Sequence, residues 1–233
     1  FIPVFFGFIL PFCVLANLGY GSLDIWINTD LTSAIKNTVV VSGLAAFITV
    51  LFGLLMVYGI RLSGRSLPQV IFPLTTIGYA APGAVLGIGI LVPLGIIDNW
   101  VADRVLDLTG YDPGLVFTGT AFAIILAYCV RFFSIAQHTV DGAFGRISPS
   151  LPNAAQSLGR NKLQVLLQIY RPLISTSTAT ALLLIFVDCV KELPATMLLR
   201  PFNFETLATR VHVQASLEDL PNAAPGSILI VLI

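Results

Sequence analysis

Stretches of about twenty apolar residues recur along this chain, and each is long enough to cross a hydrocarbon core of roughly 30 Å as a helix. That recurrence constrains the fold more than any other feature. Inside a bilayer no water is available to satisfy exposed backbone, so only helices and closed barrels span it. A barrel would show short alternating strands, whereas these runs are continuous. The chain is therefore all-α, a polytopic membrane bundle of about six transmembrane helices. Its composition agrees: 56% of residues are apolar and 10% charged, against about a quarter charged in a soluble domain. The formal net charge is +0, with no basic stripe for nucleic acid.

Six spans are expected, at about Ile2–Asn17, Thr38–Ile60, within Pro68–Ile97, Leu115–Ile135, Leu173–Val190, and from near Ala224 onward. The third stretch is too long for one straight helix. Pro73, Pro82 and Pro93 should break it, because proline removes a donor and clashes with the preceding turn. A short entry segment and then a span from about Ala81 follow from this. Residues 1–18 carry no basic leader and no Ala-x-Ala cleavage site, so no signal peptide is expected. An apolar run that stops a few residues past Ser227 reads as an interrupted span, and the chain is taken as a fragment or the C-terminal half of a longer protein.

Basic residues orient the spans. Arg61 and Arg65 follow the second, and Arg146, Arg160, Lys162 and Arg171 follow the fourth, with Asp141 the acid there. The positive-inside rule puts both loops, and with them both ends of the chain, in the cytoplasm. The remaining loops hold Asp24, Asp30, Asp98, Asp103, Asp107, Asp112, Glu192, Glu205, Glu218 and Asp219.

The polar segment 148–172 reads as two short amphipathic helices joined at a glycine. Leu151, Ala154, Ala155 and Leu158 share one helical face. Leu163, Leu166, Leu167 and Tyr170 share another, at offsets of three, four and seven. Ser150 suits an N-cap and Pro152 a first turn. Gly159 permits the reversal between the helices, and Pro172 begins the next span. From pattern alone the segment is either an interfacial helix lying on headgroups or a docking element for another protein.

Asn153-Ala154-Ala155, three residues, Gly159, nine residues, Ile169, one residue and Pro172 resemble the cytoplasmic coupling loop of binding-protein-dependent ABC importer permeases. In that family the loop reads Glu-Ala-Ala, Gly, Ile, Leu-Pro at the same spacing. Asn153 stands where the family has an acid and Arg171 where it has Leu. A second segment, Lys191-Glu-Leu-Pro-Ala-Thr196, Arg200-Pro-Phe202 and Thr206-Leu-Ala-Thr-Arg210, resembles the stretch after the coupling loop in the ferric-iron branch. The resemblance implies a type I ABC importer permease fold over residues 1–233, with a coupling loop at 148–172 and a periplasmic loop at 191–223. It implies a multi-pass protein of the bacterial inner membrane that moves ferric iron. The implied partners are ABC ATPase subunits, a periplasmic or lipid-anchored substrate-binding protein, and a second permease half, fused or homodimeric. Asn153, Ala154, Ala155, Leu158, Gly159, Ile169 and Pro172 would engage the ATPase. The alternatives are an ABC permease for thiamine, a polyamine or an inorganic anion, or a secondary transporter or channel.

Asp188, Lys191 and Glu192 fall within one turn of each other. They read either as a local ion pair settling a helix end or as groups at the outer mouth of a path, since intramembrane charges are functional candidates. Arg200, Glu205 and Arg210 are candidates for contact with the binding protein. The strip Ser175–Ala181 and the glycines Gly83, Gly87 and Gly89 read either as helix packing or as path lining. Arg131 and His138 are explained by snorkelling and capping. Cys13, Cys129 and Cys189 read as small buried hydrophobes without metal or disulfide spacing, and metal ligands stay unassigned. The chain has no Gly-x-x-x-x-Gly-Lys-Ser/Thr phosphate loop, so it is expected not to be an enzyme. It would bind no cofactor itself, with ATP and Mg held by a partner ATPase. An intramembrane protease built on Ser42, His138 and His212 is rejected, because the two histidines fall at opposite membrane faces.

Overall fold

The structure, a computed structural model, describes residues 1–233 except 22, 28 and 64–67; for residues 23, 24, 62, 63 and 68–71 it describes the backbone alone. Arg65 thus lies outside the described residues.

Among the described residues, five helices are long and apolar enough to cross a membrane: α1 (Ile2–Tyr20), α2 (Thr29–Ser63), α4 (Gly83–Thr109), α5 (Ala121–Gly145) and α7 (Lys162–Val190). Shorter helices are α3 (Pro68–Ala80), α6 (Ser150–Ser157), α8 (Pro194–Leu199), α9 (Leu207–Ser216) and α10 (Leu220–Leu232). The run expected from Ala224 is α10, which starts at Leu220, capped by Asp219 through the amide of Asn222.

Several boundaries differ from the sequence reading, each for an identifiable reason. Only Pro82 divides the third stretch; Pro73 lies inside α3 and Pro93 inside α4. Just after Pro73 the hydroxyls of Thr75 and Thr76 donate to the carbonyls of Phe72 and Pro73, and the helix continues without a break to Ala80. At Pro82, Arg131 Nη1 donates to the Ala81 carbonyl at 2.8 Å. Arg131 therefore caps a broken helix end rather than snorkelling. Pro172 does not start a span, because α7 runs through it from Lys162. A π-type turn at Leu166–Tyr170 ends two residues before that proline and absorbs the mismatch in the hydrogen-bond ladder.

Asp98, Asp103 and Asp107, read from sequence as loop residues, lie in α4. Asp98 is fully buried. Its carboxylate accepts the amides of Val116, Phe117 and Thr118 at 2.7–2.9 Å and the Thr118 hydroxyl at 2.6 Å. Residues 115–120, expected to open the fourth span, are instead the connection held by that carboxylate, and α5 begins at Ala121. Asp30 likewise sits in the first turn of α2. Cys189 is buried, but Cys13 is exposed on α1.

The chain forms two compact units: Phe1–Leu44, Gly83–Ala127 and Val187–Ile233, and Ala45–Pro82 with Tyr128–Phe186. In the first, α10 packs on α1 and α9, and α8 packs on α4. In the second, Val57, Tyr58, Val140, Ala143, Phe144 and Ile174 form the core, with Leu54, Phe72, Ile147, Leu166 and Tyr170 against it.

Candidate coupling loop and polar cleft

The second unit contains the hairpin between α5 and α7. Its first helix, α6, begins at Ser150, with Pro149 in the cap position; Ser148 Oγ accepts the Ser150 amide. Ser150 is thus the first helical residue rather than the cap. Gly159 ends the turn at φ +84°, a left-handed conformation that costs an L side chain about 1–2 kcal/mol. Its amide donates to Gln156 and the Arg160 amide to Ala155, the paired reverse bonds of a glycine C-terminal cap. Asn161 then caps α7: Asn161 Oδ1 accepts the Gln164 amide, and Gln164 Oε1 accepts the Asn161 amide. The sequence signal for this reciprocal cap is Asn-x-x-Gln, which the reading above missed.

The expected apolar face of α6 divides in two. Pro152 and Ala155, three apart, are buried, whereas Leu151, Ala154 and Leu158 are exposed, Leu158 at 84%. Asn153 and Gly159 are exposed as well. On α7, Val165 is buried, Leu166, Ile169 and Tyr170 are half-buried, and Leu163, Leu167, Arg171 and Pro172 are exposed. The hairpin therefore rests on Pro152, Ala155 and Val165 and presents a second apolar stripe outward. The two basic segments meet here: Arg61 Nη2 lies 2.7 Å from Asp141 Oδ1. Arg146, by contrast, donates to Ser177 at 2.7 Å.

The first unit contains the acidic and basic groups at the end of α7 and after it. Asp188 and Lys191 form an ion pair at 2.7 Å. Glu192 lies one residue further on. It is buried, its carboxylate accepts the Ala195 amide, and its carbonyl accepts the Thr196 hydroxyl, so it braces the start of α8. Gly87 on α4 lets α8 approach, since a Cβ there would meet Leu198 at 3.1 Å; Gly89 faces open space.

Beyond α8 the chain turns at Asn203 (φ 58°) and leaves Phe202 fully exposed. Thr206 caps α9 reciprocally with Thr209. Two α2 side chains hold this segment: Asn37 Nδ2 donates to the Glu205 carbonyl at 3.0 Å, and Thr38 Oγ1 accepts the Leu207 amide at 2.8 Å. The Glu205 carboxylate sits between Arg200 and Arg210, at 3.7 and 3.6 Å. These three residues line an open cleft of about 820 Å³ together with Asp30, Asn37 and Gln214. Arg210 is 5% exposed, and its Nε has no hydrogen-bond partner. Asp30 and Asn37 were not singled out from sequence, because only folding brings α2 beside residues 200–214. Among the described residues, no three His, Cys, Asp or Glu side chains gather as a metal site.

The family profile described as "Binding-protein-dependent transport system inner membrane component" matches residues 49–233. The Fe(3+)-transport system permease protein FbpB 2 of Haemophilus influenzae is 29% identical over 204 residues, covering 88% of this chain and 37% of the relative. The ferric transport system permease protein FbpB of Actinobacillus pleuropneumoniae is 25% identical, covering 99% of this chain and 34% of the relative. The chain thus spans about a third of the length of these two relatives. The sulfate transport system permease protein CysT of Salmonella typhimurium is 24% identical, covering 90% and 74%. The crystal structure of a bacterial ABC transporter involved in the import of the acidic polysaccharide alginate superposes at a TM-score of 0.74 with 17% identity, covering 100% of this chain and 88% of that one. That likeness is one of fold.

Proposed function

The chain belongs to the family of binding-protein-dependent transport system inner membrane components, and from that premise we propose that it is the permease part of an ATP-driven importer of ferric iron. It is then a multi-pass inner-membrane segment that hydrolyses nothing itself. Separate ATPase subunits bind ATP and Mg, and a second permease half, fused or homodimeric, completes the path. The similarity to ferric permeases across most of this chain supports iron as the cargo. The similarity to a sulfate permease supports an inorganic anion as the second reading.

The observation that carries the proposal is the outward stripe Leu151, Ala154 and Leu158, along and just past a helix whose adjacent side, Pro152 and Ala155, is buried. An ATPase cleft would receive Asn153, Ala154, Leu158, Gly159 and Pro172, while Ala155 and the half-buried Ile169 hold the hairpin against its own unit. The Arg61–Asp141 pair supports a shared cytoplasmic end for both basic loops, with both termini on that side. Arg200, Glu205 and Arg210 would meet the binding protein. The Asp188–Lys191 pair would neighbour the outer gate, with Glu192 bracing it from inside.

The test is reconstitution of the complete complex in vesicles with its binding protein. ATP-dependent uptake of labelled ferric iron, undiminished by sulfate, is the expected result; uptake of sulfate instead would favour the second reading. A crosslinker at Ala154, which is exposed where Ala155 is not, should capture the ATPase subunit. If no ATPase co-purifies and Gly159→Val leaves uptake unchanged, a channel or secondary transporter replaces the importer.

A further inference from the structure

One face of α2 grips both flanks of the coupling helix. Tyr58, in the buried core, donates its hydroxyl to the Lys162 carbonyl at the start of α7. That carbonyl also accepts the Leu166 amide, where the π-type turn of α7 begins. One turn further along α2, Arg61 donates to the Asp141 carboxylate at 2.7 Å and to its carbonyl at 3.1 Å, at the end of α5. Residues three apart lie on the same helix face. The two anchors thus hold the chain just before and just after α6.

Three aromatic rings fill the space behind them. Phe144 lies 4.7 Å from Tyr170, Tyr58 lies 5.8 Å from Tyr170, and Tyr58 lies 6.1 Å from Phe144. The Arg61 guanidinium sits over Phe144 at 5.6 Å. Close-packed interiors have low compressibility and pass strain on rather than absorbing it. Tyr58 carries a polar bond from α2 into the α6–α7 junction, and its ring contacts both flanking elements. The π-type turn, with its irregular ladder, is the compliant point of α7, and the Tyr58 hydroxyl is bonded at its onset.

We propose that Tyr58 is a positioning residue that locks α2 to the α6–α7 hairpin, so that displacement of the coupling helix moves α2 together with α7 rather than flexing the π-type turn. The proposal rests on the importer reading above. It adds which helix takes up the motion and which atom transfers it. With the hydroxyl gone, α6 and α7 yield locally, nucleotide hydrolysis continues, and less of each stroke reaches the spans.

The test uses the complete complex in vesicles, comparing unaltered protein with Tyr58→Phe, which keeps the ring and removes one oxygen. The readout is ferric iron imported per ATP hydrolysed. That ratio should fall about threefold to fivefold, the effect of one net hydrogen bond, while hydrolysis stimulated by the binding protein persists and the melting temperature of the complex stays close to that of the unaltered protein. Arg61→Gln, at the more exposed anchor, should lower the ratio in the same direction by a smaller factor, and it supplies the readout if Tyr58→Phe accumulates poorly. An unchanged ratio in these variants overturns the proposal. A parallel fall of hydrolysis and import at constant ratio also overturns it, because that is the mark of a merely structural residue. Absence of ATP-driven import in the unaltered complex overturns the importer reading itself.

Discussion

Gly78 lies so close to the carbonyl of Val130 that a Cβ at Gly78 would stand 2.3 Å from that oxygen. Both residues belong to the second unit. Small residues allow this approach of backbones in lipid, where close packing and polar contacts replace the hydrophobic drive.

Gly78→Ala forces α3 and α5 apart, because the obstruction is backbone and cannot rotate away. Overpacking of this kind costs about 1–3 kcal/mol. The thermal unfolding midpoint of the purified protein in detergent should fall clearly. Gly43→Ala is the control: nothing lies within 4 Å of a Cβ there, and alanine in a helix interior is favoured over glycine by about 1 kcal/mol. Equal midpoints for both variants would refute the close approach.

Asp98→Asn replaces one acceptor oxygen of a buried carboxylate with a donor. That carboxylate receives four hydrogen bonds from residues 116–118, and bonds to a charged acceptor are worth about 1.5–3 kcal/mol each before compensation. The amides of Val116, Phe117 and Thr118 should lose protection from hydrogen exchange by at least about tenfold, the equivalent of 1.4 kcal/mol. Unchanged protection would mean that the carboxylate does not order this connection.

A graded series at Gly159 separates backbone strain from surface contact. Asparagine adopts the left-handed conformation more readily than other non-glycine residues, so Gly159→Asn should retain most import and Gly159→Val little. The valine variant pays about 1–2 kcal/mol of backbone strain at a position with φ +84°. If both variants fail equally in uptake assays, bulk against the ATPase decides rather than the turn.

Asn161→Ala removes one half of the reciprocal cap on α7 and should destabilise its first turn by about 1 kcal/mol. Hydrogen exchange at Gln164, whose amide the Asn161 side chain accepts at 2.8 Å, is the direct check. No acceleration there would remove Asn161 from the hairpin's support.

Glu205→Gln leaves Arg210, 5% exposed, facing a neutral amide. Removing one partner of a buried pair costs several kcal/mol, but Glu205 is 36% exposed and the separation is 3.6 Å, so about 1 kcal/mol is the expected loss. Half-saturation of hydrolysis by the binding protein should shift to higher concentration while maximal hydrolysis holds. A change in the maximum alone would argue against a docking role for this cleft.

The hairpin at Gly159 and the apolar helices were legible in the sequence because each has a local cause: a conformation that glycine adopts freely, and a run long enough to cross hydrocarbon. The cleft lined by Arg200, Glu205 and Arg210 was legible only in part. Arg200, Glu205 and Arg210 are neighbours in sequence, but Asp30 and Asn37 join them through contacts more than 150 residues away, such as that of Asn37 with Glu205 at a separation of 168. Asp98 was misread because an acid beside an apolar run looks like a loop residue until its hydrogen-bond donors, 18–20 residues on, are seen.

By itself, the sequence determined that this chain is a membrane helix bundle with one polar hairpin, since backbone groups in lipid must bond within their own segment and that requirement needs no partner. Tertiary structure alone decided which prolines interrupt helices and which stripe of α6 is covered. Where a helix ends at a proline its last carbonyls need another donor, as Arg131 supplies to Ala81, whereas α3 and α4 run on through Pro73 and Pro93. Along and just past α6, Leu151, Ala154, Ala155 and Leu158 are all apolar in sequence, yet the small Ala155 is buried and both leucines are exposed, because packing against the rest of the unit, and not hydrophobicity, selects the covered side.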